Sequence, residues 1–385
     1  MKVTNKKEID FSKINRILIR STNWIGDVVL TFPAITTIRK NCPRSNITVL
    51  CRPWVAPVLE SNPEVDEVIL YDRAGVHSGI LGRLRLARAL RREQFDLAIL
   101  LQNALDAALI AFLAGIPIRA GYDTDGRGFL LTNKVMLQGE VLRKHQVYYY
   151  LEMLDDLGMK VVDGDPVIRI SDEASKKARE ILDSFNIQDG DLLIGMNPGA
   201  SFGSAKRWFP ERYAALADMI YRDFSSKVLL FGSSGEKGIS DMILSVAQSD
   251  IVDLVGKTSL LETMALIEKC SLFITNDSGL MHLAAALKVP LVAIFGSTDP
   301  VTTSPLGISS IVVRKEVSCS PCLKPECPTD HRCMRLIEVD EVYQQVQQML
   351  TGMGEHTQVF TDPSHKVLLE TKTRNSKPEI RNKLK

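Results

Sequence analysis

The sequence predicts an α/β protein made of two parallel-sheet domains, and three observations lead there. Short apolar runs bounded by Gly, Pro and polar clusters alternate with helix-period segments along most of the chain, the pattern of repeated β-α-β units. The pattern occurs twice, on either side of a polar interval. A chain of 385 residues, 45% hydrophobic and 24% charged, is long and apolar enough for two separate cores.

In the first half, RILIR (16–20), ITVLC (47–51), EVIL (67–70), DLAILL (96–101) and PIRAGY (117–122) read as strands, being short, rich in β-branched residues and bounded by turn formers. Helices fall between them, the first being VVLTFPAITTIRK. HQVYYYLEMLDDLG closes this half as a helix, VVDGDPVIRISDEASKK contains the linker, and Ser171 is placed to cap the next helix. In the second half the strands are DLLIGMN (191–197), KVLLFG (227–232), IVDLVG (251–256), SLFITN (271–276) and PLVAIFG (290–296). The expected division is an N-terminal Rossmann-like domain over 1–168, a C-terminal one over 169–350, and a polar, mobile tail over 351–385, where periodicity is lost to Thr, Lys and Pro.

Several function classes are excluded at this level. No stretch approaches the roughly 18 to 20 uncharged apolar residues of a membrane span, and MKVTNKKEIDFSKIN lacks the apolar core of a secretory signal; a cytoplasmic location is the expectation. The net charge of +1 is too small for bulk nucleic-acid binding. The run Arg83, Arg85, Arg88, Arg91, Arg92 either meets a phosphate-bearing partner or an anionic membrane surface, or is a solvated helix face beside Glu93 and Asp96.

Ligands of open α/β sheets bind beyond the carboxyl ends of the strands, so the loops leaving those ends are where chemistry is sought. The first strand runs into Ser21-Thr22-Asn23-Trp24-Ile25-Gly26-Asp27. Gly26 permits close approach of backbone, and Asp27, in the first turn of a helix, is either a general base facing the cleft or a favourable N-terminal helix charge. The corresponding loop of the second half is NPGASFGSAKRW. Its small residues and Ser201 offer N–H groups to a diphosphate and Lys206 offers a point cation, unless Lys206 lies in solvent. The spacing matches neither a Walker loop nor G-x-G-x-x-G, so ATP hydrolysis and nicotinamide binding lack support.

SLFITNDSGLMHLAAAL delivers Asn276-Asp277-Ser278-Gly279 to the start of an apolar helix, whose free N–H groups suit a phosphate. Asp277 either caps the helix or binds sugar hydroxyls. His282, one turn in, is either a ligand contact or a packed histidine at the domain interface. The strand-end loops at Gly232 to Glu236 and Gly256 to Thr258 complete a nucleoside pocket.

The set RSTNWIGDVVLTFPAI, NPGASFGSAKRW, TNDSGLMHLAAAL and FGSTDP resembles glycosyltransferase family 9, the bacterial lipopolysaccharide heptosyltransferases, over roughly residues 15 to 350. The resemblance implies the GT-B architecture, with the acceptor on the N-terminal domain and the sugar nucleotide on the C-terminal one. It implies that Asp27 deprotonates the acceptor hydroxyl as it attacks the anomeric carbon of ADP-heptose, with inversion. Lys206 then contacts the donor phosphates, Ser201 adds a hydroxyl, and Ser278 with Gly279 forms the phosphate-binding helix start. Asp277 holds the heptose or its phosphate, Thr258 borders the adenine, Glu236 is a candidate for the ribose, and His282 lies beside the donor. The implied acceptor is the inner-core heptose of a Kdo2-lipid A-type molecule at the cytoplasmic face of the inner membrane, which would make the protein peripheral there. Its anionic groups suggest Arg20, Asn23, Arg52, Arg127, Arg143 and Lys144 as contacts. Addition of the first or of a later heptose is the nearest alternative; a nucleotide-sugar epimerase and a non-catalytic nucleotide-binding protein are more remote ones. No cofactor is required for catalysis, since a lysine and a helix dipole supply the electrostatics.

Cys319, Cys322, Cys327 and Cys333 form a C-x2-C-x4-C-x5-C cluster, open to three readings: a structural zinc site, reduced thiols or a labile disulfide. Cys42, Cys51 and Cys270 sit in apolar contexts and read as core.

Overall fold

The computed structural model describes residues 4–5, 8–162, 164–307, 309–352 and 359–360. Each half of the chain forms one seven-stranded sheet. The first contains β1 (Thr4–Asn5), β2 (Arg16–Arg20), β3 (Asn46–Cys51), β4 (Glu67–Leu70), β5 (Leu97–Leu100), β6 (Ile118–Tyr122) and β7 (Asn133–Val135) in the order β1-β7-β6-β5-β2-β3-β4. All neighbours are parallel except β1 and β7. Its helices are α1 (Ile25–Leu30), α2 (Phe32–Asn41), α3 (Ala56–Glu60), α4 (Gly79–Arg92), α5 (Leu105–Leu113) and α6 (Gln146–Asp156).

The second sheet contains β8 (Leu193–Asn197), β9 (Lys227–Leu230), β10 (Ile251–Asp253), β11 (Leu272–Asn276), β12 (Leu291–Phe295), β13 (Ser310–Arg314) and β14 (Val359–Phe360). They are wholly parallel, in the order β10-β9-β8-β11-β12-β13-β14. Around them lie α7 (Asp172–Ser184), α8 (Pro210–Phe224), α9 (Lys237–Val246), α10 (Leu260–Glu268), α11 (Gly279–Ala286), α12 (Pro300–Thr303), α13 (Arg332–Arg335) and α14 (Val339–Leu350).

Parallel strands covered on both faces need apolar side chains on both, which is why these runs are continuous rather than alternating. In β2, Ile17 and Ile19 enter the core under α1, α2 and α6, while Leu18 enters the opposite layer with Leu86 and Leu90 of α4. Each such fully buried side chain contributes about 2 kcal/mol. In the second sheet Ile194 and Met196 meet the layer of α8 and α14, and Leu193 and Phe273 the layer of α7, α10 and α11.

The expected strands all form, with ends one to three residues shorter where the run continues into a loop. Strands β7 and β13 were not expected, nor were the short edge strands β1 and β14. The single helix read through VVLTFPAITTIRK is two. α1 ends at Leu30 and α2 restarts with Pro33 near its N-terminus, because Pro33 has no N–H for the ladder. Ser171 caps α7 by accepting from the Ala174 N–H at 3.2 Å. From the tail read over 351–385, Val359–Phe360 pairs with Ile311 and Val312; apart from 351–352, the remainder lies outside the described residues.

The halves meet through helices rather than sheets. Met264 of α10 and Leu283 and Ala286 of α11 join the core cluster of the first half, beside α1 and α3. Two glycines lie at this contact: a Cβ on Gly26 would lie 2.8 Å from His282 Cδ2, and one on Gly279 would lie 3.0 Å from Ile25 Cβ. The cleft opens from this contact.

Candidate active site

Two cavities adjoin at the cleft. The larger, about 700 Å³, is lined mainly from the second half, by the loops after β8, β9, β10 and β11, and closed on the other side by Trp24 to Asp27 and Trp54. The second, about 600 Å³, is lined mostly from the first half, by Thr22 to Trp24, Leu101 to Asn103, Leu137, Lys144 and Tyr149. Asp27 and Gln146 line both. A carboxylate at the junction of two ligand-sized spaces is placed to act on an atom of one molecule as it meets the other.

Asp27 sits in the first turn of α1. Burial raises its carboxyl above the usual carboxylate range, opposed by a hydrogen bond that Gln146 Nε2 donates to Oδ1 at 3.2 Å and by the charge of Lys206; Asp277 adds to the rise. Gln146 in turn is held by Tyr150 Oη at 3.3 Å. A buried carboxyl with a raised pKa and one neutral donor has the character of a general base.

Across the cleft, Lys206 Nζ lies 2.6 Å from Asp277 Oδ2, with both side chains largely withdrawn from solvent. Thr298 Oγ1 donates to the same oxygen at 2.7 Å. Phe202 places its ring 5.0 Å from the Lys206 ammonium. Asp277 is therefore not the cap of α11. Ser278 is, accepting from Met281 N–H at 3.3 Å and donating to Asn197 Oδ1 at 2.8 Å. The hydroxyl is the better cap because it can do both, and it leaves Asp277 free for the lysine. The N-terminus of α11 lines the larger cavity through Ser278, Gly279 and Leu280, where unpaired N–H groups and the helix dipole favour an anion.

The loops are tied by two asparagines at the ends of the paired strands β8 and β11. Asn197 donates to Phe231 O at 3.0 Å. Asn276 donates to Pro198 O at 2.7 Å and accepts from Trp208 N–H and the Tyr213 hydroxyl, both at 3.1 Å. Such fully used side chains fix loop geometry before any ligand arrives.

The nine residues singled out for catalysis or donor contact, Asp27, Ser201, Lys206, Glu236, Thr258, Asp277, Ser278, Gly279 and His282, all line the larger cavity. Their details differ. Glu236 accepts from Ser233 N–H at 2.8 Å in a capping box and overhangs Gly199, where a Cβ would strike its Oε1. The hydroxyls of Thr258 and Thr263 are 2.8 Å apart. His282 is buried and uncharged: desolvation lowers it to about 4, outweighing the Asp277 charge that raises it.

The acceptor-side cations are largely corrected. Arg20 is buried and spends its guanidinium on Ser21 O at 2.7 Å and Leu50 O at 3.0 Å. Arg127, fully buried, donates to Tyr122 O, Gln102 O and Asn103 Oδ1. Arg52 stacks over Tyr71 and donates to its carbonyl. None of the three lines either cavity; Arg20 and Arg127 brace the loops, chiefly through backbone carbonyls near the strand ends, and Arg52 has one such bond. Arg143 is exposed and outside both cavities. Asn23 and Lys144 do line the second cavity, Lys144 in an ion pair with Glu152. Gln146, Thr298 and Asn103 were missed; only Thr298 fell inside a motif, and Gln146 reaches Asp27 across 119 positions of sequence.

Cys319, Cys322, Cys327 and Cys333 line one cavity of about 190 Å³ with His331, and all seven cysteines are free thiols. Among the described residues no group of three or more His, Cys, Asp or Glu is arranged to hold a metal ion. The loop instead buttresses the lysine. Pro325 O accepts from Ala205 N–H at 2.9 Å, and His331 Nε2 bonds Ala205 O at 3.0 Å.

Two Rossmann-like domains, a buried carboxylate on one and a lysine beside a helix start on the other, facing across a cleft, define the GT-B architecture. Residues 83–332 match the model of glycosyltransferase family 9 (heptosyltransferase), and the chain belongs to that family and is a glycosyltransferase. It is 35% identical over 308 residues to lipooligosaccharide heptosyltransferase 2 of Haemophilus influenzae, covering 77% of this chain and 88% of that one. It is 34% identical over 307 residues to lipopolysaccharide heptosyltransferase 2 of Salmonella typhimurium, at 78% and 88% coverage. Among solved structures, ADP-heptose LPS heptosyltransferase II of E. coli superposes with a TM-score of 0.75 at 29% identity, over 88% of this chain and 99% of that one. A family 9 glycosyltransferase of Veillonella parvula gives 0.82 at 28%, over 90% and 100%.

Proposed function

We propose that the protein transfers heptose from ADP-heptose to an inner-core heptose of a Kdo2-lipid A-type acceptor, with inversion at the anomeric carbon. The observation that carries this reading is the position of Asp27 at the junction of the two cavities. The donor occupies the larger one, its diphosphate between Lys206 and the start of α11, its adenosine toward Thr258 and Glu236. The acceptor occupies the second, its hydroxyls within reach of Asn23, Asn103 and Tyr149. Asp27 takes the proton of the attacking hydroxyl as the new C–O bond forms, and the bond to ADP breaks with its electron pair retained by the phosphate. Lys206 and the α11 dipole stabilise that leaving charge, which is the electrostatic task a metal ion performs elsewhere. Relatives named heptosyltransferase 2 support transfer to the second position, and a relative named heptosyltransferase 3 is more distant, at 29%.

The test is transfer by the purified full chain from ADP-heptose to Kdo2-lipid A carrying either no heptose or one, read by mass gain. Gain on the monoheptosyl acceptor alone is expected. Gain on the bare acceptor alone would move the assignment to the first transfer, and no gain on either would end the reading.

A further inference from the structure

We propose that α4 and the turn leading into it are a membrane-docking surface, the face by which the N-terminal half lies on an anionic lipid bilayer. The inference rests on the lipid-borne acceptor proposed above and adds where the protein meets the lipid. Val76, Ile80, Leu81 and Leu84 are 63%, 73%, 78% and 44% exposed, four large aliphatic side chains within nine residues. The inner face of the same helix, Leu86, Ala87 and Leu90, is buried against the sheet, so the outer aliphatics are surplus to the core. A helix that needs only one apolar stripe to fold has been given a second.

The charges on α4 itself have one sign, while the nearby Asp72 accepts from the Gly75 and Val76 N–H groups in the turn and Glu93, after the helix, pairs with Arg16. α4 contains no Asp or Glu. At helical spacing Leu81, Leu84, Arg85, Arg88 and Arg92 fall on one side, and all are exposed. Among the described ion pairs none involves Arg73, Arg85, Arg88 or Arg92, although Arg85 donates to Val76 O at 3.3 Å, whereas Arg83 is turned inward to Asp106 at 3.0 Å and Arg91 to Leu113 O at 3.0 Å. Aliphatic side chains that insert and guanidinium groups without a carboxylate partner that meet headgroup phosphates are the composition of an interfacial helix. A protein partner would more often be met by aromatic anchors with charges of both signs.

Topology adds a position. The turn Val76–Leu81 follows β4, and the loops 21–24 and 101–104 follow β2 and β5, which run parallel to it through β3. The exposed aliphatics therefore lie on the same edge of the sheet as Asn23, Gln102 and Asn103, which line the second cavity. Docking by this edge brings a membrane-anchored sugar to the cavity without lifting its lipid out of the bilayer.

The experiment is flotation of the full chain with vesicles of phosphatidylglycerol and phosphatidylcholine, or of phosphatidylcholine alone, together with transfer to a soluble, deacylated acceptor. The wild-type protein should float with the anionic vesicles only. An Ile80→Glu/Leu81→Glu variant, and separately Arg85→Ala/Arg88→Ala, should reduce that binding by about tenfold or more while transfer to the soluble acceptor and the unfolding midpoint stay unchanged. Equal binding of wild type and variants, or no wild-type binding, overturns the proposal. So does a shift by the Ile80→Glu/Leu81→Glu variant from dimer to monomer in solution without vesicles, which would make the patch a contact between copies. Failure of wild-type transfer to the soluble acceptor counts against the proposed function and leaves the vesicle result to be judged alone.

Discussion

The ammonium of Lys206 and the carboxylate of Asp277 pair at 2.6 Å in the wall of the larger cavity. The lysine thus waits in an ion pair with its own protein, and an incoming diphosphate must share or replace that partner. Breaking a buried pair on one side leaves the other charge uncompensated, at about 3 kcal/mol or more. Lys206→Met should lower both donor affinity and turnover and destabilise the fold by that order, measured by urea unfolding. Adding Asp277→Asn to it should restore part of the stability and none of the turnover. Recovery of turnover in the double variant would remove the lysine from catalysis.

Asp27→Ala should depress turnover about 100-fold or more, the scale of a lost general base, with donor binding little changed, since the proposed diphosphate contacts come from the other domain. Steady-state kinetics with calorimetric ADP binding checks both halves. A loss below about tenfold would disqualify Asp27 as the base.

Burial raises the Asp27 carboxyl and Gln146 counters it. A base must be deprotonated to act, so the acid limb of kcat/KM should lie above the ordinary carboxylate range. Gln146→Ala removes the lowering contact and should move that limb to higher pH, the loss of rate being larger at low pH than at high. A uniform loss at every pH would mean that Gln146 only shapes the cavity.

His282 is held neutral, lowered to about 4 from an ordinary 6.5. The unfolded chain binds this proton more readily than the folded one. The stability involved is therefore complete above about pH 6.5 and is lost as pH falls toward 4, up to about 3 kcal/mol. The difference in unfolding free energy between wild type and His282→Gln should show that slope over this window and be flat above it.

Of the seven thiols, Cys319 is exposed, Cys322 and Cys327 are partly so, and Cys42, Cys51, Cys270 and Cys333 are buried. Three should react promptly with an aromatic disulfide reagent in the native protein and all seven after unfolding. Fewer than three, rising to three after chelation, would mean that a metal ion is drawn into the cluster after all.

What could be read from sequence was what is local. Asp27 lies within a dozen positions of a strand end and a glycine, and so, separately, do Lys206 and the α11 start, so that each was singled out from its own short segment. Gln146 was invisible, because nothing in HQVYYY announces a contact made 119 residues earlier. Arg20 and Arg127 were misread for the opposite reason: a cation near a strand end looks available until one sees that backbone carbonyls have taken its donors. The choice between Asp277 and Ser278 as cap needed Lys206 and Asn197 in place, since each side chain went to the partner only it could serve.

The contact of Gly26 with His282 and of Gly279 with Ile25 across the two domains makes that point a fulcrum. A methyl group added to Gly26 would press on the buried His282 ring, and one added to Gly279 would meet Ile25 Cβ, an atom fixed to its backbone. It would act as a shim under a lever, and the small gap it forced at the pivot would widen with distance along the cleft, parting Asp27 from the lysine it must work beside. A single alanine at Gly279 is thus a means of holding the two lobes ajar, with Asp27 and Lys206 themselves unaltered.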